Sequence, residues 1–400
     1  MKKFCRLMAL FLSASLLFAS GCVSTLNNAP AGIPGSSSAG AANTASVSDT
    51  RIMLDTVCTI TVYCSGDSNA SVSTSANAGN AVNGAASTGA NDADIDATDG
   101  NAGASAGANA SAKTTAAGLL EEAFKLCASY EAMFSTGMES SYVCMINRSR
   151  GEPVTVPPQV IEVISKGLVF GELSGGMFDV TIGRLTSLWD FKGNASVPSD
   201  VDLKTARETV DYTKVTVDAD DNTIQLKNPE TWLDFGGIAK GYIADRIAAF
   251  LMENGASAAV VDLGGDVVVA GSKPDGSVWH IGIRKPFGGQ SELMGAIETT
   301  GAAIVTSGIY ERQFEENGVL YHHILDPSTG MPVRSDVVSA TVVAENAMAG
   351  DALSTVILLV GSARAAELTG QVQEFIGALL VTDGGGLIEL GETGFSKLGE

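Results

Sequence analysis

Residues 233–245 read LDFGGIAKGYIAD, and the rest of the chain is organised around this stretch. The acid Asp234 follows an apolar run, Gly236 and Gly237 come next, and Ala239-Lys240-Gly241 reads as a turn leading into the amphipathic helix IADRIAAFLMENG. Adjacent glycines can take φ > 0 and admit a ligand or another backbone at close range. The start of a helix adds unpaired N–H groups and the positive end of its dipole. The pattern describes a cradle for an anion, and equally a strand-to-helix turn whose glycines serve only geometry. It is not a Walker A loop, because Lys240 precedes Gly241 rather than Ser or Thr, and it is not GxGxxG.

Outward from this stretch, apolar runs and glycine breaks alternate. Downstream, 258–271 (AAVVDLGGDVVVAG) and 278–286 (VWHIGIRKP) read as two strands of a meander, and 337–345 as a further strand. Residues 346–361, NAMAGDALSTVILLVG, read as a helix, and 376–386 close the domain. Upstream, 51–64 (RIMLDTVCTITVYC) is β-branched and alternating and reads as one strand, and strands are expected over 212–217 and 223–226. Helical periodicity covers 119–134 and 158–174, the latter stopped by Gly175-Gly176. Strands in runs with helices between them, without regular βαβ alternation, predict an α+β fold.

The chain has 400 residues, 45% of them hydrophobic, enough for a large core, and its net charge of −21 argues against nucleic acid as a partner. Lys2, Lys3 and Arg6 precede an apolar stretch over 7–18 that is too short to span a bilayer, and Ala19-Ser20-Gly21-Cys22 follows. This reads as a signal peptide over 1–21 whose end resembles a bacterial lipobox, with lipidation at Cys22 and a flexible Ser/Ala/Gly/Asn/Pro tether over 22–50. The expected location is the outer, or periplasmic, side of the cytoplasmic membrane. The domain is expected over 51–400, interrupted by an Ala/Asn/Ser/Gly tract over about 65–116 that is too poor in large apolar residues to order itself. Cys58, Cys64, Cys127 and Cys144 form no CxxC and suit core positions or incidental pairing better than metal binding.

Candidate chemistry lies in three places. Asp351 and Thr355 are four apart on the predicted helix, so both oxygens leave one face and suit a hard cation such as Mg²⁺; Asp351 as a helix cap with Thr355 in the core is the alternative. His322 and His323 must face opposite sides of a strand, and one of them, before the turn at Pro327-Ser328-Thr329-Gly330, is the best general-base candidate. Thr306-Ser307-Gly308 reads as a polar phosphate-binding turn or a plain hairpin turn. No GxSxG, HExxH or paired CxxC occurs, so neither acyl transfer nor zinc is supported.

The ordered set DTVCTITVY, SGGMFDVTIGRLTSLWDF, LDFGGIAKGYIADR, VDLGGDVVVAG, VWHIGIRKP, TSGIYER, HHILDPSTGMPV and AGDALSTVILLVG resembles the ApbE family of FAD:protein FMN transferases. The resemblance covers nearly everything from Arg51 onward apart from the Ala/Asn/Ser tract. It implies a single T-fold-related domain of antiparallel sheets and helices. It also implies Mg²⁺-dependent transfer of FMN from FAD to a threonine hydroxyl of an acceptor protein, with release of AMP. By position it implies metal binding by Gly237, Asp351, Ser354 and Thr355, flavin-dinucleotide contacts from Leu54, Met177, Phe178, Asp179, Asp234 and Lys240, with Thr306 and Ser307 beside them, and His323 as base. Gly137 stands where some members carry a tyrosine against the flavin. Acceptors of this kind are subunits of sodium-pumping NADH:quinone oxidoreductase or RNF-type redox complexes, or extracellular flavoproteins. The same motifs also suit an FAD pyrophosphatase using water as nucleophile, and the signal and tether suit a non-enzymatic solute-binding or flavin-binding lipoprotein.

Overall fold

The structure, a computed structural model, describes residues 44–65, 101–191, 193–289 and 291–398. The signal segment, Cys22, most of the expected tether and the part of the Ala/Asn/Ser tract over 66–100 lie outside these residues. In chain order the first half contains β1 (Thr44–Met53), β2 (Thr56–Ser65), α1 (Asn101–Phe134), α2 (Tyr142–Asn147), β3 (Val154–Thr155), α3 (Pro158–Ser174), α4 (Gly183–Trp189), α5 (Asp200–Arg207), β4 (Val215–Asp218) and β5 (Thr223–Leu226). Then come α6 (Ala239–Glu253), β6 (Ala258–Leu263), β7 (Asp266–Ala270), β8 (Trp279–Arg284), β9 (Leu293–Thr299), β10 (Ala302–Gly308), β11 (Gln313–Glu316) and β12 (Val319–His322). The chain finishes with β13 (Val337–Ala344), α7 (Ala347–Thr369), β14 (Phe375–Thr382), β15 (Leu387–Gly391) and β16 (Phe395–Lys397).

Eight strands form one sheet in the order β1-β2-β6-β7-β10-β13-β14-β15, antiparallel throughout. Helices α1, α6 and α7 pack against one face. The small sheet β16-β9-β8 covers the other, setting Trp279, Ile283 and Ile297 against Ile304, Val343 and Leu379. A strand covered on both sides needs apolar residues at every position rather than alternation. That is why β13, VVSATVVA, is buried along its whole length. Although α7 is long and apolar enough to cross a membrane by length and composition, it is a core helix here, with 61% of its most apolar window buried.

The elements differ from the sequence reading at four places. Strand β1 starts at Thr44, upstream of residue 51, and pairs with β2 along its full length. The run 51–64 is therefore not one strand: Leu54 and Asp55, with φ of 54° and 58°, turn β1 into β2 without glycine or asparagine to announce it. The end of the Ala/Asn/Ser tract is helical from Asn101, since alanine-rich sequence extends a helix already anchored by buried Leu120, Phe124 and Cys127. Finally, Tyr212–Lys214 is a 3₁₀ turn, and β4 begins only at Val215.

A separate apolar cluster joins α4 and α5 to the β11–β12 hairpin. Trp189 lies at its centre, stacked on Phe191 at 5.6 Å and donating from Nε1 to the Gly330 carbonyl at 2.8 Å. It packs Phe314 and Tyr321 of that hairpin against α4.

Candidate active site

The 233–245 stretch enters α6 earlier than its sequence suggests: the helix begins at Ala239, placing Lys240 and Gly241 in the first turn. Neither Gly236 nor Gly237 takes a left-handed φ. Their glycine identity answers to space instead. A Cβ on Gly237 would stand 3.1 Å from the Phe178 ring and 3.2 Å from Thr355 Oγ1. One on Gly241 would stand 2.1 Å from the Ala347 carbonyl oxygen, so only glycine lets α6 lie this close to α7. Two carboxylates tie the helices together. Asp245 accepts the amides of Ala347 and Met348 at 2.7 and 2.8 Å, supplementing the Asn346 cap of α7. Asp351 accepts the amide of Gly241 at 3.1 Å.

Between them sits Lys240, its Nζ 2.8 Å from Asp266 and 3.7 Å from Asp351. Both acids are buried. Burial, then the neighbouring charge of Asp351, raises the pKa of Asp266 well above the usual carboxylate range. Burial opposes the charge of Lys240, but the two carboxylates outweigh it and its pKa is raised.

Lys240 and Asp351 line a cavity of about 600 Å³, and Asp266 stands behind Lys240, out of the lining. Met177, Phe178, Asp179, Asp234, Gly237, Lys240, Thr306, Ser307, His323, Asp351 and Thr355 all line the cavity. Asp179 is fully engaged, accepting from the Thr181 amide and hydroxyl at 2.8 and 2.6 Å and from the Tyr212 amide at 3.0 Å; burial raises its pKa. It therefore fixes the Met177–Phe178 wall. Asp234 caps its own turn, accepting from the Gly236 amide at 2.8 Å and the Thr186 hydroxyl at 2.7 Å.

The two histidines divide as strand alternation requires. His322 is buried, and its Nε2 meets the Val333 carbonyl at 3.2 Å. His323 faces the cavity, with Nδ1 3.2 Å from the Arg312 carbonyl. A carbonyl only accepts, so Nδ1 carries the proton and Nε2 keeps a free lone pair. Burial, reinforced by the Arg312 charge, pushes the His323 pKa down to about 3, which keeps the ring neutral.

The remaining expected residues lie elsewhere. Leu54 is in the β1–β2 turn, its amide donating to Glu131 Oε1 at 2.9 Å, while its neighbours Asp55 and Thr56 line the cavity. Ser354 is buried behind the wall, bonded to Ser307 Oγ at 2.8 Å and to the Asp351 carbonyl at 3.0 Å. Thr306 and Ser307 belong to β10, not to a turn. Asp266, Asn147 and Arg312 were not singled out in the sequence. An acid embedded in the apolar run DLGGDVVVA was the available signal for the first.

A model of the ApbE family matches residues 54–380. The chain belongs to the ApbE family. It is 34% identical over 267 residues to a Klebsiella pneumoniae protein named FAD:protein FMN transferase, covering 66% of this chain and 82% of that one. A Treponema pallidum protein of the same name is 35% identical over 274 residues, covering 64% and 75%. Among solved structures, the ApbE protein of Thermotoga maritima matches with a TM-score of 0.68 at 29% identity, over 86% of this chain and 97% of that one. The flavin transferase ApbE from Vibrio cholerae matches with a TM-score of 0.65 at 26% identity, over 88% and 98%. The ApbE-family match and the cavity coincide: apart from Leu54 and Ser354, every expected catalytic, flavin or metal residue lines that one space.

Proposed function

We propose that this chain transfers FMN from FAD to a threonine hydroxyl of an acceptor protein and releases AMP. The observation that carries the reading is a Lys240–Asp351 pair, backed by buried Asp266 and set beside Gly237 and Thr355, in the same cavity as a neutral histidine with a free Nε2. The names of the relatives support it.

The donor set fits Mg²⁺, which takes few protein oxygens and keeps waters and phosphate ligands. Asp351 and Thr355 reach the wall from one face of α7, and Gly237 offers backbone where a Cβ would crowd Thr355 Oγ1. These three would hold the ion, with Ser354 bracing them through Ser307. When bound, it neutralises phosphate charge as a Lewis acid. Lys240 holds Asp351 in place, Met177 and Phe178 supply an apolar wall for the flavin, and His323 takes the threonine proton at Nε2. The new bond joins the threonine oxygen to the FMN phosphorus, and the pyrophosphate bridge breaks with its oxygen leaving on AMP.

Anchoring at Cys22 and action on acceptors outside the cytoplasmic membrane complete the proposal. They rest on residues 1–22 of the sequence alone.

The test is in-gel flavin fluorescence and acceptor mass after incubation with FAD, Mg²⁺ and a candidate acceptor domain. An acceptor mass increase of one FMN, abolished by EDTA and by Asp351→Ala, is expected. AMP release in the presence of a competent acceptor that stays unlabelled identifies an FAD pyrophosphatase instead.

A further inference from the structure

We propose that Arg312 is a catalytic residue whose guanidinium meets the phosphate being transferred. The proposal rests on the FMN-transferase reading above and adds to it a group that this reading does not use.

Arg312 and His323 are cross-strand neighbours. The register Gln313↔His322 extends by one pair, and the His323 amide donates to the Arg312 carbonyl at 3.1 Å. Side chains of directly opposed residues leave the same face of an antiparallel pair. Both residues line the cavity. The base and the guanidinium therefore enter the site side by side at the end of one hairpin, on the same face as Phe314 and Tyr321, which pack on Trp189.

The cations around the cavity differ in what they already hold. Lys240 is held by Asp266 and Asp351, and Arg148 pairs with Glu139 at 3.3 Å. Glu311, the acid next to Arg312, is taken by Arg284. Among the described residues Arg312 has no ion pair, so it is the lining cation whose charge remains available. An unpaired guanidinium beside a neutral base, in a cavity that also presents Asp234 and Asp351, suits a planar, multiply charged oxyanion. As the threonine oxygen attacks and the bridging oxygen departs, negative charge spreads over the phosphoryl oxygens. A fixed guanidinium stabilises that distribution more than the ground state. The threonine proton goes to His323 Nε2, and Arg312 transfers none.

The experiment compares wild type, Arg312→Gln and Arg312→Lys in single-turnover AMP release and acceptor labelling at saturating FAD. FAD affinity is read by flavin fluorescence and folding by circular dichroism. Arg312→Gln is expected to lower the single-turnover rate roughly 100-fold. Its FAD affinity should change far less, Arg312→Lys should recover part of the rate, and millimolar guanidinium should partly rescue Arg312→Gln. A folded Arg312→Gln that matches wild type overturns the proposal. So does a rate loss matched by lost FAD affinity and indifferent to added guanidinium. A wild-type chain that releases no AMP overturns the transferase reading and this proposal with it. Active wild type with an equally active Arg312→Gln overturns the proposal alone.

Discussion

The amide of Gly241 donates to Oδ2 of Asp351 at 3.1 Å, joining the first turn of α6 to the second turn of α7. The bond exists because nothing but hydrogen occupies the α-carbon of Gly241. Gly241→Ala would place a Cβ 2.1 Å from the Ala347 oxygen and 2.9 Å from the Asp351 Cβ. Backbone cannot swing aside as a side chain can, so a loss of about 2–3 kcal/mol is expected. Chemical denaturation measures it, and a midpoint equal to wild type would show that the helices can separate freely.

Asp266 matters for the charge it compensates. Asp266→Ala leaves Lys240 with Asp351 as its remaining carboxylate partner, so the ammonium is expected to move onto the residue assigned to the metal. Breaking a buried pair costs about 3 kcal/mol. Beyond that, the Mg²⁺ concentration for half-maximal transfer should rise at least about tenfold. A magnesium titration that superimposes on wild type would dissociate Asp266 from the site.

Thr355→Val keeps shape and removes one oxygen. The side chain lies against Gly237, and its hydroxyl makes no hydrogen bond among the described residues, so stability should change by about 1 kcal/mol or less. Metal dependence should nevertheless weaken by about tenfold. A destabilised variant with unaltered metal dependence would make Thr355 a packing residue.

Acid should weaken the fold through its histidines. Burial pushes the pKa of His322 down to about 4 and, with Arg312, that of His323 down to about 3. The unfolded chain binds these protons near pH 6.5, where the folded chain does not. Stability from this source is therefore complete above about pH 6.5 and is lost as pH falls toward 3. His322→Gln, which can still donate to Val333, should flatten the decline by up to about 3 kcal/mol. Denaturation midpoints measured from pH 7 to pH 4 test this, and parallel curves for the two proteins would contradict it.

Much of this site was legible in the chain because its residues obey local rules. Asp351 and Thr355 share a helix face at i,i+4, and neighbouring strand residues diverge, so one histidine had to look away. What escaped reading depended on distant partners. Leu54 and Asp55 adopt left-handed angles because β1 pairs with β2 and Glu131, 77 residues on, takes the Leu54 amide. The glycines of the 233–245 stretch invited a conformational explanation, yet Gly237 and Gly241 are demanded by α7, which follows more than 100 residues later. Asp266 stood out locally only as an acid in an apolar run and gains its meaning from Lys240, while nothing in the neighbourhood of Arg312 marks it, since its meaning lies in having no ion pair among the described residues.

The 110 residues separating Gly241 from Asp351 have a consequence for synthesis. Chains leave the ribosome N-terminus first. The α6 segment therefore emerges with Lys240 and its open amide long before the helix that closes them exists. A nascent or prematurely terminated chain lacking α7 has neither Asp351 nor Thr355 to complete the pocket wall. That wall is therefore finished only once translation has run past Thr355.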